Sequence, residues 1–129
     1  MINDTQKKFA IDTLKNVLHI LHEKKFDNIL SVVCETEIEN VEDFLLEFVQ
    51  GTLELNDFDA IDEYGADCSF NPQYEYSQLQ MDEYDDHHGF YLEYEMTSNS
   101  QLVDMVIQLD FLYNDNSTLK SVLKNISPM

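Results

Sequence analysis

The stretch GFYLEYEMTSNSQLVDMVIQLDFLY, residues 89–113, decides the fold. In 89–97, Phe90, Leu92, Tyr94 and Met96 alternate with Tyr91, Glu93, Glu95 and Thr97. In 102–113, Val103, Met105, Ile107, Leu109, Phe111 and Tyr113 alternate with Asp104, Val106, Gln108, Asp110 and Leu112. A period of two marks a strand with one buried face. Ser98-Asn99-Ser100-Gln101 supplies turn residues between the runs, so the two strands form one long hairpin. Pairing Thr97 with Leu102 sets Phe90 opposite Leu109, Leu92 opposite Ile107, Tyr94 opposite Met105 and Met96 opposite Val103. That register gathers the apolar residues on one face. It also sets Glu95 directly opposite Asp104 on the outer face, with Glu93 and Asp110 on the same side and no cation nearby. Like charges opposed in this way cost up to about 1 kcal/mol.

Upstream, the period changes from two to 3.6. In residues 5–24, Phe9, Ala10, Leu14, Val17, Leu18 and Leu21 recur at helical spacing. Asn3, Asp4 or Thr5 can cap the start, and Lys24 and Lys25 suit the negative end of the dipole. Asp27 is placed to cap a short second helix, Asn28 to Cys34. Thr36 with Glu39 reads as a capping box opening a third helix, with Ile38, Val41, Leu45 and Phe48 as its buried stripe and Gly51 as its terminator. Glu39, Asp43 and Glu47 then form a row of like charges, each worth a few tenths of a kcal/mol in repulsion. Residues 52–88 read as acidic loop with strand-like runs near 52–55 and 73–81. At the end, Leu119, Val122, Leu123 and Ile126 fit a helical period, with a last strand as the alternative. The expectation is one α+β domain over residues 1–129: two or three N-terminal helices packed on an antiparallel sheet whose core is the hairpin.

Twenty-six acidic residues face seven lysines and no arginine in this 129-residue chain, a formal net charge of −19. Hydrophobic residues make up 43% and aromatic residues 12%, enough to form a core despite the charge. All seven lysines lie in residues 1–25 and 120–129, which hold three acids and carry a net +4. Residues 26–119 hold the other 23 acids and neither lysine nor arginine. A direct nucleic-acid binder needs the opposite sign, and an anionic membrane surface repels this chain. The partner expected is a basic protein. MINDTQKKFAIDTLKNVLHILHEKK is too polar for a signal peptide, and no apolar run is long enough to span a membrane, so the expected location is the cytoplasm. Cys34 and Cys68 are read as small buried hydrophobes rather than a disulfide.

No catalytic constellation stands out, and neither enzymatic activity nor a cofactor is expected. His19 and His22 fall on the polar side of the first helix. Asp82, Glu83, Asp85, Asp86, His87 and His88 bring metal-type donors together, but at no recognised spacing, so the reading is an acidic loop without metal. Three glycines form no phosphate-binding loop. The seven tyrosines are more informative, because all lie in the lysine-free stretch among carboxylates. Rigid amphipathic rings supply contact area while carboxylates pair with a partner's basic groups. The partner-binding candidates are Asp57, Asp59, Asp62, Glu63, Tyr64, Asp67, Glu75, Tyr76, Asp82, Glu83, Tyr84, Asp85, Asp86, Glu93, Glu95, Asp104 and Asp110.

The lysine-free stretch 26–119, the segment ETEIENVEDFLLEF and the run QYEYSQLQMDEYDD together give a chain that resembles bacterial toxin-immunity proteins of contact-dependent growth inhibition and related polymorphic toxin systems. The helices-then-hairpin order is similar to several α+β immunity families. The resemblance is one of class and rests on no motif. It implies binding and neutralisation of a cognate toxin domain, most readily a nuclease. The abundance of like charge argues against self-association through the acidic face, so a monomer is the expectation. Two other classes share parts of this pattern. One is a cone-shaped α+β ligand-binding or enzyme domain, which needs polar groups inside its pocket. The other is an acidic nucleic-acid mimic that sequesters a basic protein.

Overall fold

A computed structural model describes residues 2–65, 78–115 and 118–128. The architecture is α+β, as the hairpin and helix periods require. Helix α1 (Asp4–Glu23) starts at a capping box in which Asn3 accepts from the Gln6 amide and the Gln6 side chain accepts from the Asn3 amide. It ends at Lys24 in the left-handed region, φ 58°. A 3-10 helix (Phe26–Ser31) follows in place of the expected Asn28–Cys34 helix. Strand β1 (Glu35–Thr36) comes next. Strands β2 (Leu79–Glu83), β3 (Gly89–Ser98), β4 (Gln101–Tyr113) and β5 (Leu119–Pro128) complete a sheet in the order β1-β5-β4-β3-β2. Among the described strands only β1 runs parallel to its neighbour, β5; the other pairings are antiparallel. No described helix is long and apolar enough to cross a membrane.

The expected capping box at Thr36 is not used. The Thr36 hydroxyl donates to the Leu123 carbonyl at 2.8 Å and accepts from the Ile38 amide at 3.1 Å, which fixes a strand and a tight turn instead. The helical stretch begins after Asn40, itself left-handed at φ 48°. It runs through α2 (Val41–Phe44), a π-helical segment (Leu45–Gln50) and α3 (Gly51–Leu55). Glu39 lies outside it, so the expected three-residue charge row shortens to Asp43 and Glu47. Gly51 does not stop the helix, because it holds ordinary helical angles of φ −62° and ψ −40°. The stop falls at Asn56 and Asp57, the latter at φ 60°. The buried residues are Val41, Leu45, Val49 and Leu53, one every four positions. Such a row drifts around a regular α-helix of 3.6 residues per turn, and the wider π turns bring it back toward the core. The run 52–55, read as strand-like, is the end of this helix.

One face of the sheet carries the core. Phe90, Leu92, Leu109, Ile107 and Phe111 are fully buried against Leu14, Val17 and Leu18 of α1 and Leu45 and Val49 of the π segment. Burial of a side chain of this size contributes roughly 1.5–3 kcal/mol, so this face holds most of the stabilisation.

The hairpin turn is as expected, with Asn99 and Ser100 at φ 51° and 64° between the strands. Thr97 pairs with Leu102, but beyond it the register departs from the expected one. Met96 faces three residues of β4, Val103, Asp104 and Met105, and Asp104 takes φ 60°. Past this bulge Glu95 pairs with Val106, Leu92 with Leu109 and Phe90 with Phe111. The shift is two residues, so the inward and outward faces are unchanged and the apolar pattern cannot reveal it. The expected opposition of Glu95 and Asp104 is thereby removed.

The C-terminal segment is a strand, not a helix. A second bulge lies where Leu109 pairs with Leu123 and Gln108 with Asn125, leaving Lys124 between. Leu123 and Ile126 therefore both face the core although three residues apart, while Val122 faces outward beside Asp110. That arrangement produces the three- and four-residue spacing that imitates a helix. Cys34 is exposed rather than buried, with its Sγ accepting from Ser121 at 3.6 Å. Cys68 lies outside the described residues, as do residues 73–77 of the second strand-like run.

Candidate functional site

Among the described residues no helix packs on the outer face of the sheet, and the pairing registers arrange its side chains in cross-strand rows. Gln78, Glu95, Val106 and Ser127 form one row. Gln80, Glu93, Gln108 and Asn125 form the next. Asp82, Tyr91, Asp110, Val122 and Glu35 form the third. Each paired carboxylate on β2, β3 and β4 (Asp82, Glu83, Glu93, Glu95 and Asp110) thus faces a neutral side chain across the strands, which avoids the like-charge penalty. Gly89 extends the face toward the β2–β3 loop. A Cβ there would lie 2.3 Å from the Phe111 carbonyl oxygen, so only glycine permits this strand approach.

The face divides into two halves by charge. On the β5–β1 side, Lys120 pairs with Glu35 at 2.9 Å and Lys124 with Glu37 at 3.3 Å. Lys124 also approaches Asp110 at 3.7 Å. The hydrogen bond to Glu37 and the nearby Asp110 charge hold the Lys124 ammonium above its ordinary pKa. The two C-terminal lysines are therefore taken up by acids of the same chain. On the β2–β3 side, Asp82, Glu93 and Glu95 share the face, and none of β2, β3 or β4 contains a lysine.

Asp110 anchors the middle. It is 5% exposed and accepts from the Tyr84 hydroxyl at 2.7 Å and the Gln108 amide at 3.2 Å. Gln108 also donates to the Tyr84 oxygen at 3.2 Å. Burial, and then the Asp110 carboxylate, push the Tyr84 phenol well above its usual pKa, so it remains a neutral donor. The Tyr84 ring stacks on His88 at 4.8 Å between centroids and tilts against Tyr91 at 5.2 Å. Burial raises the Tyr91 phenol, followed by the charges of Asp82, Glu93 and Asp85. The acids around Tyr91 thus act on it as a common negative field.

The β2–β3 loop has its own carboxylate–histidine contacts. Glu83 accepts from His87 Nδ1 at 2.6 Å and from the Tyr113 hydroxyl at 2.9 Å. These bonds, His87 first, lower its carboxyl to about 2. Asp86 pairs with His88, a contact that lowers the Asp86 carboxyl. Among the described residues no group of three His, Cys, Asp or Glu side chains is placed to hold a metal ion.

The candidate residues divide between these surroundings and others. Asp82, Glu93, Glu95 and Asp110 share the outer face, and Tyr84 joins them from the loop that also carries Asp85 and Asp86. Asp104 sits exposed in the bulge of β4, and Asp57 and Asp59 are exposed beyond α3. Asp62, Glu63 and Tyr64 lie on the helix side, in a strap tying α1 to the hairpin turn. The Asp62 carboxylate accepts from the Thr97 hydroxyl and from the Asn99 and Ser100 amides, at 2.9, 3.1 and 2.9 Å. Glu63 pairs with His19, while the Ile61 carbonyl bonds His22 at 2.8 Å. The Tyr64 ring contacts Tyr94 and lies beneath the Lys15 ammonium, 5.6 Å from its centroid. Asp67, Glu75 and Tyr76 lie outside the described residues. Sequence reasoning missed Tyr91, Gln108, His88 and Lys124. Tyr91 was legible from its outward position between Phe90 and Leu92, whereas the place of Lys124 depended on a strand held only as the alternative and on a bulge that no local signal announces.

None of the curated proteins and no solved structure matches the chain. A model of the family described as "Domain of unknown function (DUF7668)" matches residues 18–129, most of the chain, and the protein belongs to that family.

Proposed function

We propose that this protein is an immunity-type inhibitor that binds and neutralises a cognate basic toxin domain in the cytoplasm of the cell that makes it. One observation carries the reading: lysines of the chain neutralise the β5–β1 half of the outer sheet face, while the β2–β3 half keeps its carboxylates beside the Tyr84 and Tyr91 rings. Retained charge of one sign steers an oppositely charged protein and orients it on arrival. A nuclease fits best, because its cleft must be positive to hold phosphates. A ligand-binding pocket of the cone-shaped type is less well supported, since the inner face is filled by apolar side chains such as Leu92, Ile107 and Leu18, all fully buried.

The test is co-expression with the toxin domain encoded immediately upstream, scored by co-purification and cell survival. Complex formation with rescue is the expected result, and the association rate should fall steeply with salt. The absence of both a complex at low salt and rescue would overturn the reading.

A further inference from the structure

We propose that the β2–β3 half of the outer sheet face receives an arginine-bearing segment of a protein partner, with one guanidinium directed to Glu95 and Glu93 and the segment's adjoining arginine laid against the ring of Tyr91. This deepens the reading of a basic partner and rests on it. Glu93 and Glu95 stand side by side along β3, opposite Gln108 and Val106, so no charge within the sheet answers theirs. With Gln78, Gln80 and Val106 they line a small cleft of about 40 Å³. At its wall the Oε2 atom of Glu95 is shielded from water and has no hydrogen-bond partner. A shielded carboxylate oxygen without a donor is an incomplete arrangement, and a guanidinium entering beside it completes it as the cleft widens. The Gln78 amide nitrogen is committed to the Tyr94 hydroxyl and the Glu95 carbonyl, each at 3.0 Å, which leaves its own carbonyl oxygen as a further acceptor. Two residues before Glu93 and four before Glu95 on the same strand, Tyr91 offers a half-buried ring braced by Tyr84.

Acceptors beside a ring suit arginine better than lysine. A guanidinium presents several donors in a plane and stacks on aromatic faces, whereas an ammonium is a compact, strongly hydrated point charge. The other half of the face is closed to such a segment by Lys120 and Lys124.

The experiment titrates the ¹⁵N-labelled protein with capped hexa-arginine and hexalysine peptides at about 0.15 M salt, where screening acts beyond about 8 Å. No toxin enters the tube, so failure here leaves the immunity reading to be judged by its own test. Hexa-arginine is expected to bind at least about fivefold more tightly than hexalysine, with shifts centred on Gln80, Tyr91, Glu93 and Glu95. Glu95→Gln and Tyr91→Ala should each weaken hexa-arginine about five- to tenfold, while Asp43→Asn on α2 leaves it unchanged. Urea midpoints of all variants confirm folding, and Glu93→Gln replaces any that unfolds. Equal affinity for the two peptides overturns the proposal. So does an equal effect of Asp43→Asn, or a dimer in sedimentation whose contacts perturb these same residues without peptide.

Discussion

Replacing Asp62 by alanine removes the acceptor that joins the strap to the hairpin turn. Three bonds are lost together: Thr97 Oγ1 at 2.9 Å, the Asn99 amide at 3.1 Å and the Ser100 amide at 2.9 Å. They are not equal. Asn99 is exposed and Ser100 half-buried, so water replaces much of what their amides lose, leaving about 0.5 kcal/mol each. Thr97 is 1% exposed, and its hydroxyl loses a charged partner with little access to water, at about 1–2 kcal/mol. The sum is about 2–3 kcal/mol. For a domain of this size it lowers the melting temperature by roughly 6–12 °C. Urea unfolding followed by far-UV circular dichroism reads it directly, with an unchanged slope if unfolding stays two-state. Asp62→Asn, which keeps one carbonyl oxygen, should fall between alanine and the parent. Asp82→Ala, at an exposed strand position with no such role, should stay within about 0.5 kcal/mol of the parent. A loss below about 1 kcal/mol for Asp62→Ala, or one equal to that of Asp82→Ala, would refute the assignment of Asp62 as a structural clasp.

Gly89→Ala should destabilise the domain by about 1–3 kcal/mol, because the new methyl would meet the Phe111 carbonyl at 2.3 Å and the strands must part; a thermal melt within 2 °C of the parent contradicts that close approach. Glu83 gives a pH prediction. Its carboxyl is lowered from 4.5 to about 2 in the folded chain, so its stabilising contribution is present above pH 4.5 and is lost as pH falls from there toward 2. Glu83→Gln should flatten the fall in stability over that window, and identical acid profiles for the two proteins would rule the contribution out.

Much of the architecture was legible because it depends on local period and capping. The 3.6-residue spacing of Leu14, Val17, Leu18 and Leu21 finds α1 within a residue or two, since an exposed helix on a sheet must bury one stripe. The alternation in 89–113 finds the hairpin for the corresponding reason, and Asn99-Ser100 finds its turn. The failures share a different origin. Thr36 has the chemistry of a cap, but its hydroxyl is used by Leu123, 87 residues away in sequence, and nothing local announces that contact. Gly51 has the chemistry of a stop, yet it is carried through by a stripe that continues to Leu53. Asp62 looks like any other surface acid until the hairpin turn is placed beside it.

By itself the sequence determined the α+β class, the hairpin, the first helix, the lysine-free interior of the chain and the outward orientation of Glu93, Glu95 and Asp110. Each follows from side-chain period or composition, which a single chain displays without folding. Only the tertiary structure decided which acids are answered and which are not. Two β-bulges move Glu95 away from Asp104 and bring Lys124 over Asp110, and parallel pairing of β1 with β5 brings Glu35 to Lys120. A bulge of two residues leaves every side chain on its original face, so it is silent in the hydrophobic pattern, yet it changes every cross-strand neighbour. The distribution of charge on the outer face is fixed by those neighbours, and it exists only once the strands have paired.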